Sequence, residues 1–149
     1  MTKRLSPSVP DHAMPLRGNC LCLHLQRAAR VVARRFDEAF RPLALTNGQF
    51  SLLMALRQLE APSIGYVAAL LAMDRTTLTA NLKPLARRGL VKVATDRADQ
   101  RSRCLALTAA GRALLEAAIP VWRRTHVEVE RLLPSADPDE LRAELRALS

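Results

Sequence analysis

Apolar residues recur at spacings of three and four between Leu16 and Phe40, which places them on one face of a predicted helix. This face is formed by Leu21, Leu25, Ala28, Val32, Phe36 and Phe40. Pro42 ends the helix because its ring cannot continue the backbone hydrogen bonding. Thr46 then caps a second helix, with Gln49 three residues later as its capping-box partner.

The middle of the chain predicts two short helices followed by a hairpin. Ser63 and Asp74 are suitable N-caps, and Gly89 is a typical residue after the end of a helix. Two short apolar runs with partial alternation follow, separated by the polar segment 96–102. The predicted elements are helices over 64–72 and 75–88 and strands over 90–95 and 103–107.

Two further helices are predicted after the hairpin. Thr108 caps the first, over 109–132, and the last runs from Pro138 through Leu148. At the other end of the chain, segment 1–15 contains three prolines among polar residues and predicts an extended arm. The order of four helices, a hairpin and two helices predicts a mainly α fold with a small β-hairpin wing, the winged helix-turn-helix arrangement.

Composition and charge narrow the possible partners. Apolar residues make up 49% of the 149 residues and aromatic residues only 3%, which favours a helical core of leucine, alanine and valine. The net charge is +9, and segment 74–103 alone carries eight basic against three acidic residues. A surplus of this size predicts nucleic acid as the first partner and an anionic surface as the second.

Several function classes lack the sequence features that they require. The first residues have no apolar core of a signal peptide, no apolar run is long enough to span a bilayer, and three cysteines cannot form a paired disulfide framework. We therefore expect a reduced, cytoplasmic protein. A glycine-rich phosphate loop, a nucleophile elbow and a paired zinc-histidine motif are all missing, so we predict no enzymatic activity, no cofactor and no metal.

The helix over 75–88 carries the sharpest candidate chemistry. Leu78, Leu82 and Leu85 face the core, which leaves short polar and basic side chains on the outside. Hydroxyl, amide and guanidinium groups of this size reach base edges in a major groove that is about 12 Å wide. The candidate DNA contacts are Arg75, Thr76, Thr77, Thr79, Asn81 and Lys83. The plainer interpretation is the solvated face of an ordinary helix.

Arg97, Arg101 and Arg103 crowd the tip of the predicted hairpin. A protruding arginine suits a narrow minor groove, where the negative potential is strongest. Asp96 and Asp99 are placed to orient these guanidiniums by ion pairing. The alternative is a surface salt-bridge cluster, which contributes little to stability.

Taken together, these motifs resemble those of the MarR family of bacterial regulators. The wing motif consists of Asp96, Asp99 and Arg101, followed by Leu105, Leu107, Thr108 and Gly111. The helix motif consists of Asp74, Thr77, Leu78, Thr79, Leu82 and Lys83, followed by Arg88, Gly89, Leu90 and Val91. Thr46, Gln49 and Phe50 match the start of the second helix, so the resemblance covers roughly residues 20–148.

The resemblance implies a sequence-specific transcriptional regulator, most often a repressor, that binds a palindromic site in double-stranded DNA as a homodimer. The single domain would cover 16–149, with dimerisation helices in 16–45 and 109–149 and the winged helix-turn-helix in 46–108. Arg101 would enter the minor groove, and residues 75–83 would read the major groove. The expected interface residues are Leu21, Leu25, Leu141, Leu145 and Leu148, with an intramolecular core as the alternative.

The resemblance also implies a signal that releases the protein from DNA. The favoured signal is a small organic effector, an aromatic acid or a thioester, held between the dimerisation helices and the winged domain. Its candidate contacts are His24, Arg27, Arg30, Phe50, Met54 and Trp122. The alternative is peroxide sensing by Cys22, at the position where related sensors carry their reactive cysteine, although Phe36 lacks the tyrosine hydroxyl that supports such a thiolate.

Two further alternatives come from the first helix itself. Cys20 and His24 have the i, i+4 spacing of metal ligands, with His12 or His126 needed to complete a site. The helix also carries basic residues beside its apolar face, a pattern found in helices that lie on anionic lipid or on a partner protein. These basic residues are Arg27, Arg30, Arg34 and Arg35.

Overall fold

The computed structural model describes residues 18–134 and 137–149. Within these ranges the fully described elements are six α-helices, one 3₁₀ helix and a two-stranded antiparallel sheet. The helices are α1 (Leu21–Phe40), α2 (Asn47–Gln58), α3 (Ile64–Leu70), α4 (Arg75–Arg87), α5 (Ala109–Glu130) and α6 (Pro138–Arg146), and the strands are β1 (Val91–Thr95) and β2 (Arg103–Leu107). The predicted mainly α fold with a small β-hairpin wing is confirmed. The predicted arm over 1–15 lies outside the described residues.

Side-chain caps fix where the helices begin. The Thr46 hydroxyl accepts a hydrogen bond from the Gln49 backbone N–H at 3.2 Å. The Gln49 carboxamide oxygen in turn accepts from the Thr46 backbone N–H at 3.1 Å, so the predicted capping box is confirmed. Ser63, Asp74 and Thr108 cap α3, α4 and α5 through the same kind of bond to a backbone N–H.

The helix ends differ from the predicted boundaries by a few residues. α1 begins at Leu21, later than the apolar segment from Leu16 suggests. α3 ends at Leu70 instead of Ala72, because Ala72 adopts a φ of 50°, which is outside the helical region. α5 and α6 each end two residues before the predicted boundary. Periodicity alone extends a helix into such positions, where the backbone already turns.

A 3₁₀ turn over Arg41–Leu43 connects α1 to the loop before α2, and the apolar periodicity does not predict it. Ala44 follows in the left-handed region with a φ of 50°. The Arg88 guanidinium donates to the backbone carbonyl of Leu43 at 3.3 Å and to that of Ala44 at 2.6 Å. The residue that follows α4 is therefore fixed to the turn that follows α1.

The hairpin is fastened at its base. β1 and β2 pair in a register that sets Val91 opposite Leu107. The Leu105 backbone N–H also donates to the Pro62 carbonyl at 2.9 Å, which connects β2 to the start of α3. Residues 97–101 at the tip are all exposed. The wing therefore has an anchored base and an accessible end.

The core lies where α2 meets α1, α4 and α5. Phe40 and Phe50 stack with ring centroids 4.7 Å apart, and Trp122 of α5 lies 6.3 Å from Phe50. The predicted core residues of α4 are all buried, and they are Leu78, Leu82 and Leu85. No helix in the described part of the chain is long and apolar enough to cross a membrane.

α6 is attached to α5 through Arg142. Its guanidinium donates to the Glu130 carboxylate at 2.5 Å and to the Asp139 carboxylate at 2.6 Å. These hydrogen bonds hold the pKa of both carboxyl groups below their ordinary values. The last helix is therefore held by charged contacts, while its apolar side chains stay accessible.

Candidate nucleic-acid interface

Asp74 fixes the N-terminus of α4. Its carboxylate accepts from the Thr77 backbone N–H at 2.7 Å and from the Thr77 hydroxyl at 3.1 Å. These bonds, the backbone bond foremost, lower the pKa of Asp74 because they stabilise its charged form. Since buried leucines hold the inner side of α4, its outer side is free for contacts.

The outer side of α4 is a continuous strip of five exposed residues. Arg75, Thr76, Thr79, Ala80 and Lys83 line a shallow depression of about 440 Å³. Four of the five are predicted from the sequence, and Ala80 is not, because a methyl group carries no polar signal. Its position four residues after Thr76 could have identified it, since such residues share a helix face. An alanine methyl is chemically suited to contact a thymine methyl.

Thr77 and Asn81 lie differently from the other predicted contacts of α4. The Thr77 hydroxyl is bonded to Asp74, and the Asn81 amide donates to the Thr77 carbonyl at 3.0 Å. Asn81 is half-buried against Gly48 of α2, where an added Cβ would lie 2.6 Å from the Asn81 amide oxygen. Both side chains therefore contact α4 itself or α2 in this structure.

Two aspartates shape the turn at the wing tip. Asp96 accepts from the Ala98 backbone N–H at 2.8 Å, and Asp99 accepts from the Arg101 backbone N–H at 2.9 Å. The ion pairs among the described residues lie elsewhere, so the expected pairing of these carboxylates with the wing guanidiniums does not form. The exposed arginines of the wing are Arg97, Arg101 and Arg103.

Cys104 lies next to this turn. Burial first, and then a hydrogen bond to Asp96, raise the pKa of the Cys104 thiol. The backbone bond from Ala98 and the bond from the thiol lower the pKa of Asp96. The two groups therefore shift each other's pKa in opposite directions, upward for the thiol and downward for the carboxyl.

A cleft of about 380 Å³ separates α4 from the wing. Arg75, Arg101 and Arg103 line it together with Ser63 and Gly65 from the start of α3. The three arginines are predicted as DNA contacts, whereas the α3 residues are not, because no polar pattern in their segment points to the wing. The cleft thus joins three elements that are distant in sequence.

Three of the six predicted effector contacts lie together. Phe50, Met54 and Trp122 line a cavity of about 410 Å³ at the junction of α2, the end of α3 and α5. The uncharged polar residues that line it are Asn47, Ser51 and Gln58. The other three predicted contacts are exposed on α1 and do not line this cavity, and they are His24, Arg27 and Arg30.

The candidate redox and metal residues on α1 mainly form hydrogen bonds within the start of that helix. The Cys20 thiol accepts from a backbone N–H of the first turn at 3.4 Å, and the His24 ring donates from Nδ1 to the Cys20 carbonyl at 2.9 Å. Cys22 is exposed, and its sulfur accepts from the Gln26 carboxamide at 3.4 Å. Residues 18–134 and 137–149 contain no group of three or more metal-ligating side chains, and His12 lies outside these ranges.

Comparisons with a family model, with curated proteins and with solved structures all find transcriptional regulators. The MarR family model matches residues 45–102. The transcriptional regulator PecS of Dickeya dadantii is 31% identical over 127 residues, which cover 83% of this chain and 74% of PecS. The crystal structure of the M. tuberculosis transcriptional regulator MosR in complex with DNA is 38% identical, with a TM-score of 0.76, and the match covers 87% of this chain and 93% of that one. BpsR of Bordetella bronchiseptica, whose DNA binding is regulated by 6-hydroxynicotinic acid, is 29% identical, with a TM-score of 0.73, covering 87% of this chain and 91% of BpsR.

The matched segment runs from α2 to the wing and includes both the α4 strip and the wing arginines. The longer matches extend over the flanking helices as well. The relatives are transcription regulators rather than enzymes. This chain belongs to the MarR family of winged-helix, DNA-binding transcriptional regulators.

Proposed function

We propose that the chain is a sequence-specific repressor that binds a palindromic DNA site as a homodimer in the cytoplasm. One observation carries the proposal: Arg75 and Thr79 of α4 line the same cleft as Arg101 and Arg103 of the wing. A helix face and a basic hairpin that lie side by side match two adjacent grooves of a duplex.

Within this surface, base reading in the major groove falls to Thr76 and Thr79, whose hydroxyl and methyl groups are exposed. Arg101 at the wing tip enters the minor groove, where the potential is most negative. Lys83 and Arg97 flank these residues and contact backbone phosphates, which position a protein without reading sequence.

The homodimer is supported by apolar side chains that are exposed in the single chain. Leu21 next to Cys20 is 62% exposed, and Leu145 and Leu148 at the other end of the chain are 40% and 63% exposed. Leu25 and Leu141 are half-buried beside them. Exposed apolar surface of this kind marks contact with another chain, and a palindromic site calls for a second copy related by a twofold axis.

Selection of duplexes from a random pool by the purified protein tests this function. We expect enrichment of an inverted repeat whose half-sites are spaced by about one helical turn, roughly 10 base pairs. Arg101→Ala should weaken binding to the enriched duplex about 10-fold or more, because a charged hydrogen-bonding group is lost. Thr79→Ala should change which bases are enriched. Arg112→Ala, on the exposed first turn of α5, is the matched control for loss of one positive charge, and equal binding to every duplex would overturn the proposal.

We also propose that a small aromatic acid or thioester releases the protein by entering the cavity at Phe50, Met54 and Trp122. Flat and polarisable side chains suit an aromatic ring, and the amides of Asn47 and Gln58 suit its carboxylate or carbonyl. BpsR supports this class of ligand, since 6-hydroxynicotinic acid regulates its DNA binding.

Trp122 is the one tryptophan of the sequence, so its fluorescence reports directly on the cavity. We expect an effective aromatic acid to quench this fluorescence over the same concentrations at which it releases DNA. Ala55→Leu, which adds volume at the cavity wall, should weaken both effects in parallel. Release of DNA without any change at Trp122 would place the effector elsewhere.

A peroxide switch at Cys22 has less support. The neighbour that can stabilise its thiolate is the neutral carboxamide of Gln26, and the buried Phe36 carries no hydroxyl. Peroxide treatment of the wild type and of Cys22→Ser separates the two signals. Loss of DNA binding in the wild type alone would establish the thiol switch, and equal retention in both proteins would exclude it.

A further inference from the structure

The cleft between α4 and the wing has a defined place in any complex that uses both elements. When a helix occupies the major groove and a hairpin enters the neighbouring minor groove, one sugar-phosphate strand separates the two grooves. That strand must pass between the helix and the hairpin. In this protein the space between them is the cleft of about 380 Å³ that Arg75 and Arg103 line from opposite sides.

The charge of the cleft suits a phosphodiester. Three guanidiniums line it against one carboxylate, that of Asp99. The Asp99 carboxylate already accepts the Arg101 backbone N–H at 2.9 Å, so it serves the turn at the wing tip. Guanidinium is the side-chain group whose planar pair of N–H donors best matches two oxygens of one phosphate.

The local structure places both arginines at the walls of the cleft. Arg103 lies on β2 and donates to the Thr95 hydroxyl of β1, which directs its guanidinium along the hairpin. Arg75 lies over Gly65 of α3, where an added Cβ would come within 3.0 Å of its Nη2 atom. The missing side chain at Gly65 therefore leaves room for the Arg75 guanidinium against α3.

We propose that this cleft is a clamp for one backbone phosphate of the DNA, with Arg75 of α4 and Arg103 of β2 as its two ligands. The inference rests on the proposed function and divides the basic residues by role. Arg75 and Arg103 set affinity and the depth at which α4 enters the groove, and they do not select bases. Sequence preference then depends on the exposed threonines of α4 and on Arg101.

Salt dependence provides the first test, using the duplex enriched from the random pool and a scrambled duplex of equal length. Loss of one phosphate contact reduces the slope of log affinity against log salt by about 0.9. We expect the Arg75→Ala, Arg103→Ala double variant to reduce the slope by about this amount. Each single variant should reduce it by less, because the other arginine still neutralises the phosphate. Each should also weaken binding about 10-fold on both duplexes alike. Arg112→Ala, outside the cleft, should leave the slope nearly unchanged.

Neutral phosphates locate the clamp. A set of operator duplexes, each with a single methylphosphonate, removes one backbone charge at a time. In the wild type we expect one position per half-site to cause the largest loss of affinity. At that position the loss should shrink in Arg103→Ala, because Arg75 still contacts the phosphate, and it should disappear in the Arg75→Ala, Arg103→Ala double variant, where both ligands are gone. Arg103→Lys keeps the charge but loses the planar pair of donors, so it should keep the salt slope while binding more weakly.

The outcomes distinguish failure of the phosphate clamp from failure of the proposed DNA-binding function. If the wild type prefers one sequence but the Arg75 and Arg103 variants change base preference, or keep the full salt slope, the clamp is wrong and the regulator stands. If the wild type binds all duplexes equally, the proposed function fails first. If inorganic phosphate at millimolar concentration protects Arg103 variants and wild type equally against thermal unfolding, the cleft has no intrinsic anion site, which also counts against the clamp.

Discussion

The guanidinium of Arg88 donates to the backbone carbonyl of Ala44 at 2.6 Å and so joins two residues that are 44 positions apart in the sequence. Ala44 has a left-handed backbone at the end of the turn that follows α1, and its carbonyl lies outside any helical hydrogen-bonding pattern. Arg88 directly follows α4. The bond therefore couples the end of α4, the helix proposed to contact DNA, to the turn that follows α1, the helix proposed to take part in the dimer.

Arg88→Ala should lower the free energy of unfolding by about 1 kcal/mol, the usual net value of an exposed hydrogen bond of this kind. The measurement is urea unfolding followed by circular dichroism. Arg87→Ala removes a neighbouring exposed arginine and is the control, with an expected change close to zero. Equal destabilisation by both variants would mean that the bond to Ala44 does not matter.

Gly111→Ala should destabilise the protein by about 3 kcal/mol, at the upper end of overpacking effects. A Cβ at Gly111 would lie 2.0 Å from the Leu90 carbonyl oxygen and 2.9 Å from a methyl group of Leu107. Since backbone cannot move aside as a flexible side chain does, α5 would be pushed away from the base of the wing.

Gly18→Ala is the matched control, because an added Cβ there meets nothing within 4 Å. Thermal unfolding of both variants gives the comparison. A Gly111→Ala protein with unchanged stability would show that the approach of α5 to Leu90 is looser than the structure indicates.

Local chemistry explains why so much of this fold could be predicted from the sequence. The capping box of Thr46 and Gln49 and the N-cap of Asp74 act within three residues, so their signal is complete in a short segment. The buried leucines of α4 follow from helical spacing alone. The wing arginines could be predicted because three of them lie close together in one short segment.

The remaining features depend on contacts between segments that are far apart. The space over Gly65 matters only because Arg75 lies across it, and Asn81 faces α2 only because Gly48 leaves room. The wing aspartates bond to backbone N–H groups instead of guanidiniums, because those N–H groups are nearer once the turn forms. Sequence patterns identify the candidate residues, whereas tertiary packing determines which groups those residues contact.

Gly48 and Asn81 should show strong energetic coupling. Gly48→Ala improves helix propensity but places a Cβ 2.6 Å from the Asn81 amide oxygen, which displaces the amide from the Thr77 carbonyl. Asn81→Ala removes the obstacle. A double-mutant cycle in urea should therefore give a coupling of about 1 kcal/mol, with the double variant more stable than the two single changes add up to. Strict additivity would contradict the contact.

Leu145→Glu combined with Leu148→Glu should convert the protein to monomers if these exposed side chains form the proposed dimer interface. Two carboxylates in an apolar interface would be desolvated without partners, a cost that a surface contact cannot offset. Analytical ultracentrifugation measures the shift. Tyr66→Glu, on the exposed side of α3, is the control for an added charge, and a dimer that persists in the double variant would place the interface elsewhere.

Asp74 should make part of the stability depend on acid pH. Its pKa is lowered in the folded chain by the bonds from Thr77, so this contribution is fully present above the ordinary carboxyl pKa of about 4. It is lost as the pH falls through the lower, folded value, since protonation removes the charge that accepts those bonds. Asp74→Asn keeps a good N-cap but cannot titrate, so its stability should fall less steeply as the pH drops below the ordinary carboxyl pKa. The pKa values of three other carboxyl groups are also lowered, those of Asp96, Glu130 and Asp139. These groups are present in both proteins, so the difference between the two stability curves reports on Asp74 alone. Parallel curves from urea unfolding across this range would show that the cap of α4 does not depend on the charge.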